Sequence, residues 1–215
     1  MSESEIAINL VCEDALSCAV LQKLLKHSRR CYRVGSCHTT GGFGWIKKKV
    51  EGFNRAARGM PYLILTDLDA SECPPALLTE WGLKNRHPNL LFSVAVRQVE
   101  SWVLACRQAF AQFLGIREGR IPLKVDDIPN AKIFLINLAR ESPKRELRMD
   151  IVPPEGSTAK VGPDYNGRLS RFVEQRWDPG VAKESSPSLR RAVELLDRFE
   201  PCVEKTLIRE TRGRK

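Results

Sequence analysis

The sequence predicts an α/β fold: a central, mainly parallel four-stranded sheet flanked by helices, with a helical C-terminal extension. Three observations carry this expectation. Four short apolar runs, Ile6 to Cys12, Tyr32 to Cys37, Tyr62 to Thr66 and Leu90 to Val96, have the length of buried strands. Segments with helical spacing separate them, and strand–helix alternation predicts parallel pairing through right-handed crossovers. Acidic residues stand where the runs stop: Glu13 after the first, Asp67 and Asp69 after the third, Glu100 shortly after the fourth. In a parallel sheet those strand ends share one rim.

Each element has its own signal. Ile6, Ile8, Leu10 and Val11 form the first strand, and residues 14–26 then place Leu16, Val20, Leu21, Leu24 and Leu25 at helical intervals. After the second strand, the turn from Thr39 to Gly44 leads into a helix over 45–58, with Ile46, Val50 and Phe53 inward and Lys47, Lys48 and Lys49 outward. Pro74 and Pro75 open a short helix ending near Trp81, since proline suits a first helical turn. The fourth strand feeds a single helix over 99–114. Beyond Gly115 the periodicity becomes irregular, with a helix over 131–140, a loop-rich stretch containing Pro143, Pro153, Pro154 and Pro163, and helices over 165–175 and 188–199. The predicted organisation is a core at 1–115, an extension at 116–208 and a basic tail at 209–215. The tail lacks apolar residues and is expected to be disordered without a polyanion.

A chain of 215 residues is long enough for a sizeable core. Its net charge of +9 and pI near 9.4 favour a polyanionic partner, and nucleic acid, DNA or RNA, is the expected one. Seven cysteines in irregular spacing argue against a disulfide framework and for a reducing cytoplasm. Neither a secretory leader nor an apolar run of about 18 residues is present, so no membrane association is expected.

The acidic rim is the candidate site. Two carboxylates at about 4 Å repel by roughly 1 to 4 kcal/mol, depending on the effective dielectric. A divalent cation removes that cost, and oxygen ligands suit Mg²⁺, with Mn²⁺ as a substitute. Glu13, Asp67 and Asp69 are the expected metal ligands, with Asp14 as a further ligand or simply the helix start, and Glu100 completes the catalytic set. A lone carboxylate in a turn is ordinarily a cap; the joint placement singles these out. No Cys and His grouping has zinc spacing. Substrate contacts are expected from His38 on the same rim, from Lys47 and Lys48, from Arg97 beside Glu100, and from Lys160 and Arg190 in the extension. The Thr39 to Gly44 turn offers backbone N–H groups at a helix start, though it matches no nucleotide-binding fingerprint. Tyr165, Asn166 and Arg191 are further residues of the extension that would line a groove beside the rim.

The first and third strand ends superficially match a receiver domain. That fold needs Ser or Thr ending its fourth strand, where this chain reads Val94-Ala95-Val96-Arg97, and a fifth strand with a terminal Lys. A haloacid-dehalogenase phosphatase would start at the Asp67-x-Asp69 strand, yet a strand–helix–strand unit precedes it. The closest resemblance is to the Toprim family, over residues 6–114: Glu13 after the first strand, Asp67-Leu68-Asp69 after the third, and the segment Val99-Glu100-Ser101-Trp102-Val103-Leu104-Ala105. That last segment is similar to one in short Toprim-like proteins of bacterial mobile and antiviral loci, relatives of the OLD-type nucleases. The resemblance implies a Toprim-like Rossmannoid core and Mg²⁺-dependent phosphodiester chemistry, with Glu13 as acid/base or ligand. Nearby ATPases serve as partners in such loci, an oligomer is compatible with them, and an inactive binding subunit is the alternative role. The chain departs from the pattern at Asp14 and Ser17, where a Gly and a second acid are usual, and at Cys106, where related short proteins carry Asp.

Overall fold

The computed structural model describes residues 5–39 and 42–202, so the basic tail lies outside the described residues. Its strands are β1 (Ile6–Val11), β2 (Tyr32–His38), β3 (Tyr62–Asp67) and β4 (Leu90–Ala95). They form one all-parallel sheet in the order β2-β1-β3-β4. The connecting helices are α1 (Ala15–His27), α2 (Gly42–Ala56) and α3 (Pro74–Glu80).

The period of two along the strands sorts side chains onto two faces. Ile6, Ile8, Leu10, Leu63, Leu65 and Leu91 enter one core with Leu16, Val20 and Leu24 of α1. Val11, Ile64, Phe92 and Val94 enter the other with Ile46 and Val50 of α2 and Leu77 of α3. The first crossover runs outward to β2 and the later ones run the opposite way. Right-handed connections then require α1 on one face and α2 and α3 on the other. The reversal occurs between β1 and β3, and the crevice beyond their carboxyl ends is where open α/β sheets bind ligands.

Asn9 interrupts the apolar pattern. Its Oδ1 accepts from the Ser36 N–H and Ser36 Oγ, each at 2.9 Å, where the β1–β2 register shifts between Ile8 and Leu10. A Cβ on Gly35 would lie 2.6 Å from that oxygen, so a larger residue there would push the Asn9 amide off its Ser36 hydrogen bonds.

The extension comprises α6 (Ala131–Arg140), α7 (Arg145–Ile151), α8 (Tyr165–Gln175), α9 (Pro179–Ala182) and α10 (Pro187–Arg198). Leu135, Ile151, Leu169, Phe172, Leu189 and Leu196 share the α1-side core with the sheet. Short 3-10 turns at Glu118–Arg120 and Val125–Asp127 lead into it.

Two elements differ from expectation. The helix predicted over 99–114 is broken at Cys106 into α4 (Val99–Ala105) and α5 (Arg107–Leu114). Cys106 has φ −81° and ψ 62°, outside helical geometry. The Trp102 carbonyl, which a continuous helix would offer to the Cys106 N–H, accepts from Trp177 Nε1 at 2.9 Å. The segment read as loop between the prolines contains α7. A disulfide joins Cys18 to Cys37, and the other five cysteines are free, so there is one bridge and no framework. Among the described residues no helix is long and apolar enough to cross a membrane.

All seven residues of α4 are buried. Trp102 Nε1 donates to Ser188 Oγ at 2.7 Å, and the Ser188 N–H donates to Asp126 Oδ2 at 2.8 Å. Ser188→Ala removes the acceptor of a fully buried indole N–H. It should lower the unfolding free energy by about 1–3 kcal/mol, measured by denaturant titration, whereas Ser157→Ala on the exposed loop should change it by less than about 0.5 kcal/mol.

Candidate active site at the carboxyl edge of the sheet

Backbone pairing between β1 and β3 ends at Val11 and Ile64. Past that point the Glu13 side chain continues the link: its Oε1 accepts from Thr66 Oγ1 at 2.6 Å and from the Asp67 N–H at 3.1 Å. Asp67 ends β3 and turns toward β4, where its Oδ1 accepts from the Val99 N–H at 2.9 Å, at the start of α4. A carboxylate there also meets the positive end of the helix. Asp69 follows in a left-handed turn, φ 45°, a conformation that Asp tolerates better than most residues.

Glu100, in the first turn of α4, is fully buried. Its Oε1 accepts from Tyr165 Oη at 3.0 Å and pairs with Lys132 Nζ at 3.3 Å. Its Oε2 is buried and has no hydrogen-bond partner. Asp14 caps α1, its Oδ1 accepting from the Ser17 N–H at 2.8 Å.

These acids act on one another. Burial holds Asp67 well above the usual carboxylate range, with Glu100, Glu13 and Asp69 adding to the shift and the Val99 N–H opposing it. Burial likewise raises Glu13, against the Thr66 and Asp67 hydrogen bonds and with Asp69 and Asp14 adding. Glu100 is raised by burial, against the pull of Lys132. Burial disfavours the charge on Lys132, but Glu100, Asp14 and Asp67 outweigh it and raise its pKa. Burial raises Tyr165 well above the ordinary phenol range, and Glu100 adds to the rise. The structure therefore brings Glu13, Asp14, Asp67, Asp69 and Glu100 into one electrostatic neighbourhood, as the sequence places them, with Lys132 as the cation facing them.

The donors are of the kind Mg²⁺ takes, but among the described residues no three of these carboxylates bring oxygens within 4.8 Å of one another. Glu13, Asp67 and Glu100 each commit one oxygen to the protein's own donors, the remaining Glu100 oxygen is buried without a partner, and all the donors are hard oxygens. An ion shared by Glu13, Asp67 and Glu100 would need their free oxygens drawn closer together, with Asp69 and Asp14 as further acids of the same neighbourhood.

The expected substrate residues are scattered. His38 ends β2 on the same edge, its Nε2 3.1 Å from Ser36 Oγ and its ring 6.0 Å from that of Phe53. Lys47 pairs with Glu80 at 2.5 Å, tying α2 to α3, and Lys48 is exposed. The Arg97 guanidinium donates to the carbonyls of Asp69 and Ser71, at 3.1 and 2.9 Å, and so holds the turn that carries Asp69. Lys160 is exposed on the 152–164 loop, and Arg190 pairs with Glu184 at 3.1 Å on α10. Of the Thr39 to Gly44 turn, residues 40–41 lie outside the described residues, and α2 begins at Gly42.

Lys132 escaped the sequence reading, although a signal existed. It sits in the first turn of α6, where a cation opposes the helix dipole, and such a placement asks for an acidic partner. Gln98 links the same parts: its Oε1 accepts from the Lys132 N–H at 3.1 Å, and its Nε2 lies 3.5 Å from Asp69 Oδ1.

No family model matches the chain, and neither a curated protein nor a solved structure was found to be similar to it. The Toprim resemblance thus rests on the residues of this chain alone.

The raised pKa of Asp67 has a definite sign in stability. Below the ordinary value of 3.8 the residue is protonated whether folded or not and carries no penalty. As pH rises from there through the raised folded value, ionisation favours the unfolded chain. In metal-free protein, Asp67→Asn should therefore raise the melting temperature at about pH 8, and the gain should shrink toward about pH 5. Thermal melts of both proteins in a chelator check this, and a gain that grows on acidification contradicts it.

Proposed function

We propose that this protein is a Mg²⁺-dependent nuclease of Toprim type that hydrolyses phosphodiesters of DNA or RNA in the cytoplasm, with Mn²⁺ able to substitute. The observation that carries the proposal is the buried, unpartnered Glu100 Oε2, whose carboxylate acts on Asp67, close to the crevice where the crossovers reverse and Glu13 meets Asp67, in a strongly basic chain. When bound, Mg²⁺ supplies a Lewis acid that offsets charge on a phosphoryl oxygen and lowers the pKa of a coordinated water.

The chain's own residues do the rest. Thr66 and the Asp67 N–H fix the Glu13 carboxylate, and its raised pKa suits a group that takes a proton from an attacking water. Lys132 and Tyr165 orient Glu100 and keep water from its buried side. Arg97 fixes the Asp69 turn. His38, Lys47, Lys48, Lys160 and Arg190 are proposed phosphate contacts, whose contribution would weaken with added salt. A place in bacterial antiviral defence and an ATPase partner follow from the Toprim resemblance and are proposed with it.

The test is cleavage of plasmid DNA and of structured RNA with Mg²⁺ or Mn²⁺. Glu13→Gln and Asp67→Asn should each lower the rate by about 100-fold or more, with folding confirmed by circular dichroism. Equal cleavage by wild type and both variants would remove these residues from the chemistry. Tight binding that needs no metal and gives no turnover would identify an inactive nucleic-acid-binding subunit instead.

A further inference from the structure

Beside the acidic edge, three sulfurs from three separate elements converge. Cys12 follows β1, Cys18 lies in α1 and Cys37 lies in β2, and their Sγ atoms all fall within 4.8 Å of one another. Cys12 Sγ is 3.7 Å from Cys37 Sγ. Cys12 is fully buried, whereas Cys18 and Cys37 are partly exposed, so the trio is open from one side. A zinc or similar ion bonds thiolate sulfur at about 2.3 Å, and tetrahedral or trigonal ligands at that radius stand roughly 3.8 to 4.0 Å apart. The Cys12 to Cys37 separation falls close to that spacing. Burial, with the charges of Asp14 and Glu13 adding, holds the Cys12 thiol protonated on its own, so an ion bound there must displace that proton.

We infer that the reduced trio Cys12, Cys18 and Cys37 is a binding site for one soft, thiophilic metal ion, Zn²⁺ or Cu⁺, distinct from the oxygen-donor site at Glu13, Asp67 and Glu100. Thiolates select such ions over Mg²⁺. The Cys18–Cys37 disulfide is the oxidised, metal-free form of the same site. A dithiol reductant opens it, transferring two electrons and two protons and ending as its own disulfide. Uptake of the ion then releases the protons of the thiols that coordinate it. Three thiolates alone complete a trigonal Cu⁺ site, while Zn²⁺ takes a water as fourth ligand. Either ion would pin the end of β1, the first turns of α1 and the end of β2 together, next to Glu13. The inference does not depend on nuclease activity.

The test uses the full chain, reduced with a phosphine and kept free of oxygen. Co²⁺ is titrated as a spectroscopic stand-in for Zn²⁺ and then displaced by Zn²⁺, and Cu⁺ is offered separately against a chromophoric Cu⁺ chelator. One ion should bind per chain, with sulfur-to-cobalt charge-transfer absorption, and X-ray absorption of the Zn²⁺ or Cu⁺ form should show three sulfurs. Cys12→Ser, Cys18→Ser and Cys37→Ser should each weaken binding by about 100-fold, while Cys31→Ser and Cys73→Ser leave it unchanged. Two results would overturn the inference: folded, reduced wild type that takes up none of the three ions stoichiometrically, or binding that survives intact in Cys12→Ser. The wild-type measurements decide the matter even where a serine variant fails to fold. None of these outcomes bears on cleavage in Mg²⁺, so failure here and failure of the nuclease proposal are separable.

Discussion

Strands β1 and β3 stop sharing backbone hydrogen bonds at Val11 and Ile64, and the next tie between them is a side chain. Glu13 reaches across to Thr66 Oγ1 and to the Asp67 N–H, so that one carboxylate does the work of the missing ladder. Glu13 is thereby oriented by the strand that delivers Asp67. Asp67 in turn accepts the Val99 N–H and so locates the start of α4, which carries Glu100. The three acids form a relay of position from β1 to β3 to α4. Such a relay is affordable only where N–H groups and a helix start offset part of the desolvation.

The extension completes what the sheet begins. Left to the sheet alone, α4 would expose Trp102, and Glu100 would sit in water as an ordinary first-turn acid. Residues from α6, α8, α9 and α10 enclose it instead, with Trp177 on the Trp102 carbonyl and Ser188 on its indole nitrogen. That enclosure removes water from Glu100 and brings Lys132 and Tyr165 against it. In a drier site each charge interaction is stronger than in water, so the helical half of the chain sets the electrostatics of an edge whose backbone belongs to the sheet.

Much of this was legible in the residues. All four strands follow from short apolar runs of strand length, and parallel pairing follows from the helices between them. Glu13, Asp67 and Asp69 were visible because strand ends in a parallel sheet must share an edge. What stayed hidden depends on contacts distant in sequence. Nothing in Val99 to Leu114 marks a break at Cys106, because the group that takes the Trp102 carbonyl is Trp177, 75 residues later. The α7 helix lies between prolines that read locally as loop. The cysteine trio has no motif spacing because its members come from the end of β1, from α1 and from β2, and only the pairing of β1 with β2 aligns them.

Local rules of sequence–structure agreement fail most clearly where this molecule concentrates acid. Buried like charges, a left-handed Asp69 and a lysine in the first turn of a helix each oppose stability on their own. Their coincidence in one place is harder to attribute to packing than any one of them. Burial is the main cause of the raised pKa values of Glu13, Asp67 and Glu100, and Lys132 pulls against it at Glu100. A concentration of buried acids at one sheet edge, inside a chain with a net charge of +9, is what the proposed metal- and polyanion-binding role would need and what packing alone does not explain.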